Sequence, residues 1–119
     1  MPQFMLILKE TPGAYKKLSP EEIQQMIQRY RAWAGKLAQA GKLGNSHKLM
    51  DEGGKIVATK NGRFSVVDGP YSEAKEVVGG YFIITAKDYA EAVELVRDHP
   101  HVPMGTIDIR EVDPMTGAQ

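Results

Sequence analysis

Two short runs constrain this chain more than anything else in it: Phe4-Met5-Leu6-Ile7-Leu8 near the start and Tyr81-Phe82-Ile83-Ile84-Thr85 late in the sequence. Neither alternates polar with apolar residues, which is the pattern of a strand buried on both faces. Such strands belong in the middle of a sheet. The rest of the chain must then supply the edge strands, the helices that cover one face, and something to cover the other.

The intervening segments fit that demand. Ser19-Pro20-Glu21-Glu22 opens a helix, with Ser19 as N-cap, Pro20 at the first helical position and Glu22 closing a capping box. Ile23, Met26, Ile27, Tyr30, Ala34, Leu37 and Ala38 then form one stripe at spacings of three and four, with Trp33 toward its edge. Gly41 ends the helix, which is about 30 Å long by its rise per residue. Glu10 to Leu18 is expected to be a loop, and a short strand is expected around His47–Met50. Lys55–Lys60, Asn61-Gly62 and Arg63–Val67 make a β-hairpin, because Asn-Gly supplies the two positive φ values of a type I′ turn. That register sets Val57 opposite Val66 and Thr59 opposite Phe64, with Lys60 opposite Arg63 at the tip. Asp88 caps a second helix whose predicted buried stripe is Tyr89, Ala92, Val93 and Val96. Thr106–Val112 alternates at its start, as a half-exposed edge strand does.

The order β-α-β-(hairpin)-β-α-β is the split βαβ pattern of a ferredoxin-like α+β domain, in which the first and third strands are central. Its helices cover one face of the sheet. The hairpin is expected to cover part of the other, and a second copy of the chain the rest, so the expected assembly is a homodimer with sheets packed face to face. A chain of 119 residues suits one domain and buries roughly two-thirds of its unfolded surface without a metal or disulfide staple. The domain is expected over residues 1–112, with 113–119 as a frayed tail.

Between the hairpin and the second long strand lies Asp68-Gly69-Pro70-Tyr71-Ser72-Glu73-Ala74-Lys75-Glu76-Val77-Val78-Gly79-Gly80. Asp-Gly-Pro is turn punctuation. Ser72 to Glu76 is expected to form a single helical turn carrying both signs of charge. Gly79-Gly80 ends it, and at least one of these glycines is expected to admit another backbone at close range.

This run, DGPY-x-E-x-KE-x-x-GG, closely resembles the signature of the YCII-related family in its DGPF subgroup, with Tyr71 where the family usually has Phe. The likeness extends from about Phe4 to Val112. It implies a ferredoxin-like domain that pairs into a dimeric α/β barrel. Family members are mostly of unknown function, and the wider superfamily spans lactone isomerases, dehalogenating enzymes and haem or quinone-type oxygenases. A fold shared so widely does not convert into a reaction. The resemblance also implies an accessory or regulatory setting, since such proteins are often linked with extracytoplasmic-function sigma factors.

Composition narrows the classes. Fifteen Lys+Arg balance fifteen Asp+Glu, which argues against a general nucleic-acid binder. There is no cysteine, hence no disulfide framework and no thiol chemistry. No apolar run approaches the roughly 18 residues of a membrane span, and the start of the chain lacks the features of a signal peptide. A cytoplasmic protein without membrane contact is the expectation.

Asp68 is the first candidate acid or base, beside the plainer role of capping its own turn. His47 is the second, and a His47–Asp68 pair would be a proton-transfer unit. The wider family is known for a His–Asp arrangement, but the motif does not place its histidine in this sequence. Tyr71, Glu73, Lys75 and Glu76 are candidates for holding a small polar organic ligand, or an ion-pair cluster that pins the turn or a dimer. Tyr30 and Tyr81, with Tyr71, are candidate pocket walls or core. His99 and His101 alone do not make a metal site, no nucleotide loop or hydrolase elbow is present, and no cofactor is expected. Two functions follow: a homodimeric small-molecule-binding domain, or a cofactor-free isomerase or lyase using Asp68 on a carbonyl or lactone.

Overall fold

The computed structural model describes residues 1–69 and 76–115. Eight regular elements and one short 3-10 turn run in the order β1 (Gln3–Glu10), the 3-10 turn (Ala14–Lys17), α1 (Pro20–Gln39), β2 (Leu43–Lys48), β3 (Lys55–Lys60), β4 (Arg63–Asp68), β5 (Val77–Thr85), α2 (Tyr89–Val96) and β6 (Thr106–Glu111). One four-stranded sheet has the order β2-β5-β1-β6, and β3-β4 form a separate two-stranded sheet. Every pairing is antiparallel. The two strands apolar on both faces, β1 and β5, are the central pair, as the split βαβ pattern requires.

The core lies between one face of that pair and the two helices. Phe4, Leu6 and Leu8 from β1 and Ile84 from β5 meet Trp33 and Leu37 of α1 and Ala92 and Val96 of α2. Each large side chain so buried contributes about 1.5–3 kcal/mol relative to exposure. Trp33 also donates its Nε1–H to the Leu95 carbonyl at 2.8 Å, which ties α1 to α2. Trp33 is thus a centre of the helix interface, not its edge. Conversely, Tyr89 and Val93 of α2 are largely exposed. Tyr89 meets Phe4 edge-on and accepts the Glu111 N–H at its hydroxyl.

Local signals behave as the sequence predicts. The Glu22 N–H donates to the Ser19 hydroxyl and the Ser19 N–H to the Glu22 carboxylate, so the capping box is complete. Asn61 and Gly62 take φ of 52° and 77°, and Val57–Val66, Thr59–Phe64 and Lys60–Arg63 are opposed.

Three boundaries differ from expectation. β1 runs on to Glu10, which therefore ends a strand instead of starting a loop. β2 occupies Leu43–Lys48 rather than His47–Met50. β5 begins at Val77, so Gly79 and Gly80 lie within the strand and end no helical turn. A methyl group at Gly80 would lie 2.9 Å from the His47 carbonyl oxygen of β2, which is the close backbone approach the glycine pair promised.

Candidate functional site

The first half of α1 does not reach the core. Its apolar stripe, Ile23, Met26 and Ile27, overhangs a cavity of about 630 Å³ whose other walls include Leu8, Gly80, Phe82, His101 and Tyr30, the last of which also packs against the core. A second recess of about 640 Å³ adjoins it and shares Glu10, Tyr15, Lys16, Asp51 and Gly79. Together they form one cleft bounded by the 3-10 turn, α1, β2 and the end of β1.

Glu10 stands at the junction of the two recesses. The two-residue strand period puts its side chain on the face of Phe4, Leu6 and Leu8, and the residue is only 8% exposed. Burial pushes its carboxyl pKa above the ordinary glutamate range, with Asp51 adding in the same sense and Lys48 opposing. Among the described residues its closest charge-capable partner is His101 Nε2, 3.8 Å from Oε2. Gly79 makes this position possible. A Cβ there would overlap the Glu10 carboxylate, so the carboxylate lies directly over bare backbone of β5.

His101 follows α2 and is 1% exposed. Its Nε2 lies 2.8 Å from the Lys9 carbonyl oxygen, which can only accept. Nε2 therefore carries the ring proton, and Nδ1 is the acceptor. The Tyr15 hydroxyl, 2.5 Å from Nδ1, must then be the donor. Burial lowers the His101 pKa, which keeps the ring neutral and this direction of donation intact. With its proton committed, the Tyr15 oxygen can accept from the Tyr30 hydroxyl at 3.5 Å. The chain of donation is Tyr30 to Tyr15 to His101 to the Lys9 carbonyl, and its outermost link is the longest. Burial also raises the pKa of both tyrosines, so each keeps its proton near neutral pH. Gly105 lets the chain close, since a Cβ there would overlap the Lys9 carbonyl oxygen and stand 2.9 Å from His101 Nε2.

Behind His101 sits His99, ringed edge-to-face by Tyr30, Trp33 and Phe82. Its Nδ1 accepts the His101 N–H at 3.0 Å, while its Nε2 is buried with no hydrogen-bond partner among the described residues. Burial, aided by His101, lowers its pKa to about 4.

The residues singled out from sequence are dispersed. Asp68 ends β4 with its side chain 87% exposed and 2.5 Å from Lys55 Nζ, and it lines neither recess of the cleft. His47 lies beside Tyr81, with Nδ1 2.8 Å from the phenol oxygen. The structure therefore does not bring His47 and Asp68 together. Glu76 accepts from the Thr106 hydroxyl at 3.1 Å and lines the second recess. Tyr71, Glu73 and Lys75 lie outside the described residues. His47, Tyr30 and Tyr81 do line the cleft. No cluster of three or more His, Asp or Glu suited to a metal ion occurs among the described residues.

Glu10, Tyr15 and His101 were not prominent in the sequence. One signal pointed to Glu10: it extends an apolar strand in the same parity as Phe4, Leu6 and Leu8. None pointed to the His101–Tyr15 contact, which joins residues 86 apart.

The fold and cleft define a ferredoxin-like α+β domain with a polar cluster at the mouth of an apolar cavity. The chain belongs to the YCII-related family, whose domain profile matches residues 2–116. It is also similar to an uncharacterised protein of Rhizobium meliloti (strain 1021), at 31% identity over 81 residues, which is 67% of this chain and 65% of that protein. The match therefore spans less than two thirds of the relative's length.

Proposed function

We propose that this chain is a small-molecule-binding domain of the DGPF subgroup, working as a homodimer, and that its ligand enters the cleft beside α1. The observation that carries this reading is the displaced stripe of α1. Ile23, Met26 and Ile27 have the spacing of core residues, yet they face a cavity of about 630 Å³, within the range of small-ligand sites. Ile23 and Ile27 remain substantially exposed, and a ligand's apolar group would cover them. Arg31 lines the same cavity, which favours an organic anion, while Lys16 and Lys48 reach it paired with Glu52 and Asp51.

Pairing of two copies is supported by the sheet face away from the helices, where Met5, Ile7 and Ile83 are only partly covered. It is also supported by Val57, Phe64 and Val66, which leave one face of the hairpin apolar and open. An accessory or regulatory role accords with a binding site of this kind. The acid–base alternative finds its support at Glu10 rather than at Asp68, where the carboxylate is solvated and paired.

A thermal-shift screen against lactones, hydroxy acids and small aromatic acids tests the reading. Ligand at about 100 times its dissociation constant stabilises by roughly 2.7 kcal/mol, a rise of several degrees. The variant Ile27→Glu, altered at an exposed wall position, should fold and lose the response. No response in the wild type at millimolar ligand, or an equal response in the variant, would overturn the site. Light scattering that gives a monomer at micromolar concentration would overturn the pairing.

A further inference from the structure

We propose that the cleft is an enolising site, in which Glu10 moves a proton to and from the carbon beside a ligand's carbonyl group while the Tyr30 hydroxyl holds the carbonyl oxygen. The proposal rests on the binding reading above and adds to it a substrate class: carbonyl compounds with an acidic neighbouring C–H, an apolar group and an anionic group.

The geometry divides the work. A general base must be able to reach its proton, must lie out of bulk water, and must not be neutralised by a fixed cation. Among the described residues Glu10 meets all three conditions: it lines the cleft, it is buried, and the one charge-capable group within 4 Å is the His101 imidazole at 3.8 Å, while Lys48 acts on it only from farther off. A buried carboxylate whose proton affinity is raised by desolvation costs stability, and such perturbed groups concentrate at sites that act. Asp68 is the contrary case, paired and in water.

The tyrosine chain supplies the other half. Tyr15 spends its proton on His101, so it can only accept from the ligand side. Tyr30 holds its proton against Tyr15 by a contact of 3.5 Å, the weakest link. A ligand oxygen can take that proton's hydrogen bond at little cost. Donation down the chain polarises each hydroxyl in the same direction. Tyr30 and Glu10 both border the cavity, and the Glu10 charge is felt at Tyr30.

The step balances without a co-reactant. The C–H bond breaks and its proton bonds to a Glu10 oxygen. The C–H electron pair becomes a C=C bond, and the carbonyl π pair moves to the oxygen held by Tyr30. The proton on Glu10 exchanges with a solvent deuteron before one is delivered back to the same carbon, giving isotope exchange, or it is delivered to another atom of the ligand, giving an isomer. Glu10 and Tyr30 are the catalytic residues, and Tyr15 and His101 are positioning residues. The anionic end would lie toward Arg31, since Lys16 and Lys48 are paired with Glu52 and Asp51, and the apolar group against Ile23, Met26 and Ile27.

The probe is phenylpyruvate, which has all three groups. Its binding is measured by saturation-transfer NMR. Deuterium incorporation at its benzylic carbon is followed in deuterated buffer against the uncatalysed rate. The wild type should bind it and accelerate exchange with preference for one of the two hydrogens. Glu10→Gln should bind within about threefold of wild type and lose about 100-fold or more in catalysed exchange. Tyr30→Phe should lose about tenfold. The catalysed rate should rise with pH through one ionisation above the ordinary glutamate range. The titratable or charged groups facing Glu10 are Tyr15 from the 3-10 turn, Lys48 and Asp51 from β2 and its following loop, and His101 from the loop after α2. Of these, His101 is held neutral by burial near pH 7.

Should Glu10→Gln fail to fold, Glu10→Asp keeps the charge on a shorter arm. It should retain binding and slow exchange about tenfold, and an unchanged rate would count against the proposal. Binding with no acceleration, or equal acceleration by Glu10→Gln, would overturn the proton transfer and leave the binding site standing. Failure of phenylpyruvate to bind while other acids raise the melting temperature would overturn the substrate class alone.

Discussion

Glu10 and Asp68 are each the last residue of a strand, β1 and β4 respectively, yet their surroundings have almost nothing in common. Glu10 closes a central strand, lies over bare glycine backbone and has a raised proton affinity. Asp68 closes one arm of a hairpin that pairs only with itself, and its carboxylate meets Lys55 in open solvent. The same chemical group is buried in one place and solvated in the other. The difference comes from which sheet each strand joined. A central strand carries its terminal side chain into the core face, whereas a two-stranded ribbon has no interior to carry it into.

The low-dielectric surroundings on the Glu10 side have independent witnesses in His99 and His101, and they set the largest predicted effect. The folded protein resists protonating His99 until about pH 4, whereas an unfolded histidine protonates near 6.5. Between those values the unfolded chain binds the extra proton, so stability falls as pH drops through that window. The loss amounts to up to about 3 kcal/mol by pH 4, and the lowered His101 pKa acts in the same direction. Urea unfolding at pH 7.5, 5.5 and 4 should show it, and His99→Phe should remove most of it. The aromatic ring around His99 can accept a phenyl group, and the lost Nδ1 bond from the His101 N–H lowers the variant's stability at every pH without adding an acid dependence. An equal acid dependence in the variant would mean that this side is wetter than its geometry implies.

Gly105 comes next. Gly105→Ala should destabilise by about 1–3 kcal/mol, since its new methyl group meets the Lys9 backbone, which has no room to yield. The same change should disturb His101 and, through it, Tyr15. Chemical denaturation measures the loss, and a neutral result would break the claim that this corner is tightly built.

The smallest effects come from neutralising the two carboxylates themselves. A raised folded-state pKa means that Glu10 costs stability once pH exceeds its folded value. Glu10→Gln should therefore raise the melting temperature at pH 8 by about 2–5 °C. The gain should shrink as pH falls into the ordinary glutamate range, where the folded carboxyl is already protonated. Asp68→Asn should change the melting temperature by less than about 3 °C at either pH, because exposed ion pairs contribute little. Equal responses from the two substitutions would erase the contrast between the two strand ends.

The parts of the fold that were readable in advance are those decided within a few residues of chain. The Ser19–Glu22 capping box closes on itself, and Asn61-Gly62 dictates its turn and thereby the hairpin register. The central placement of β1 and β5 follows from their lack of alternation, and the family follows from the spacing around Asp68 and Gly79-Gly80. The site was less legible. The α1 stripe promised core at Ile23, Met26 and Ile27, but in the fold these residues face a cavity. Trp33 looked peripheral on the helix wheel, yet it is central because α2 lies against that side and offers the Leu95 carbonyl.

By itself, then, the sequence determined the element order, the two interior strands, the hairpin register and the family, since each is encoded in local periodicity or contiguous residues. Only the tertiary structure decided which carboxylate is buried, which nitrogen of His101 is protonated, and which tyrosine keeps a proton to give. These depend on burial and on partners brought together from residues 9, 10, 15, 30 and 101. Proton affinity follows the solvation and charge that surround a group in space, and no spacing along the chain records that.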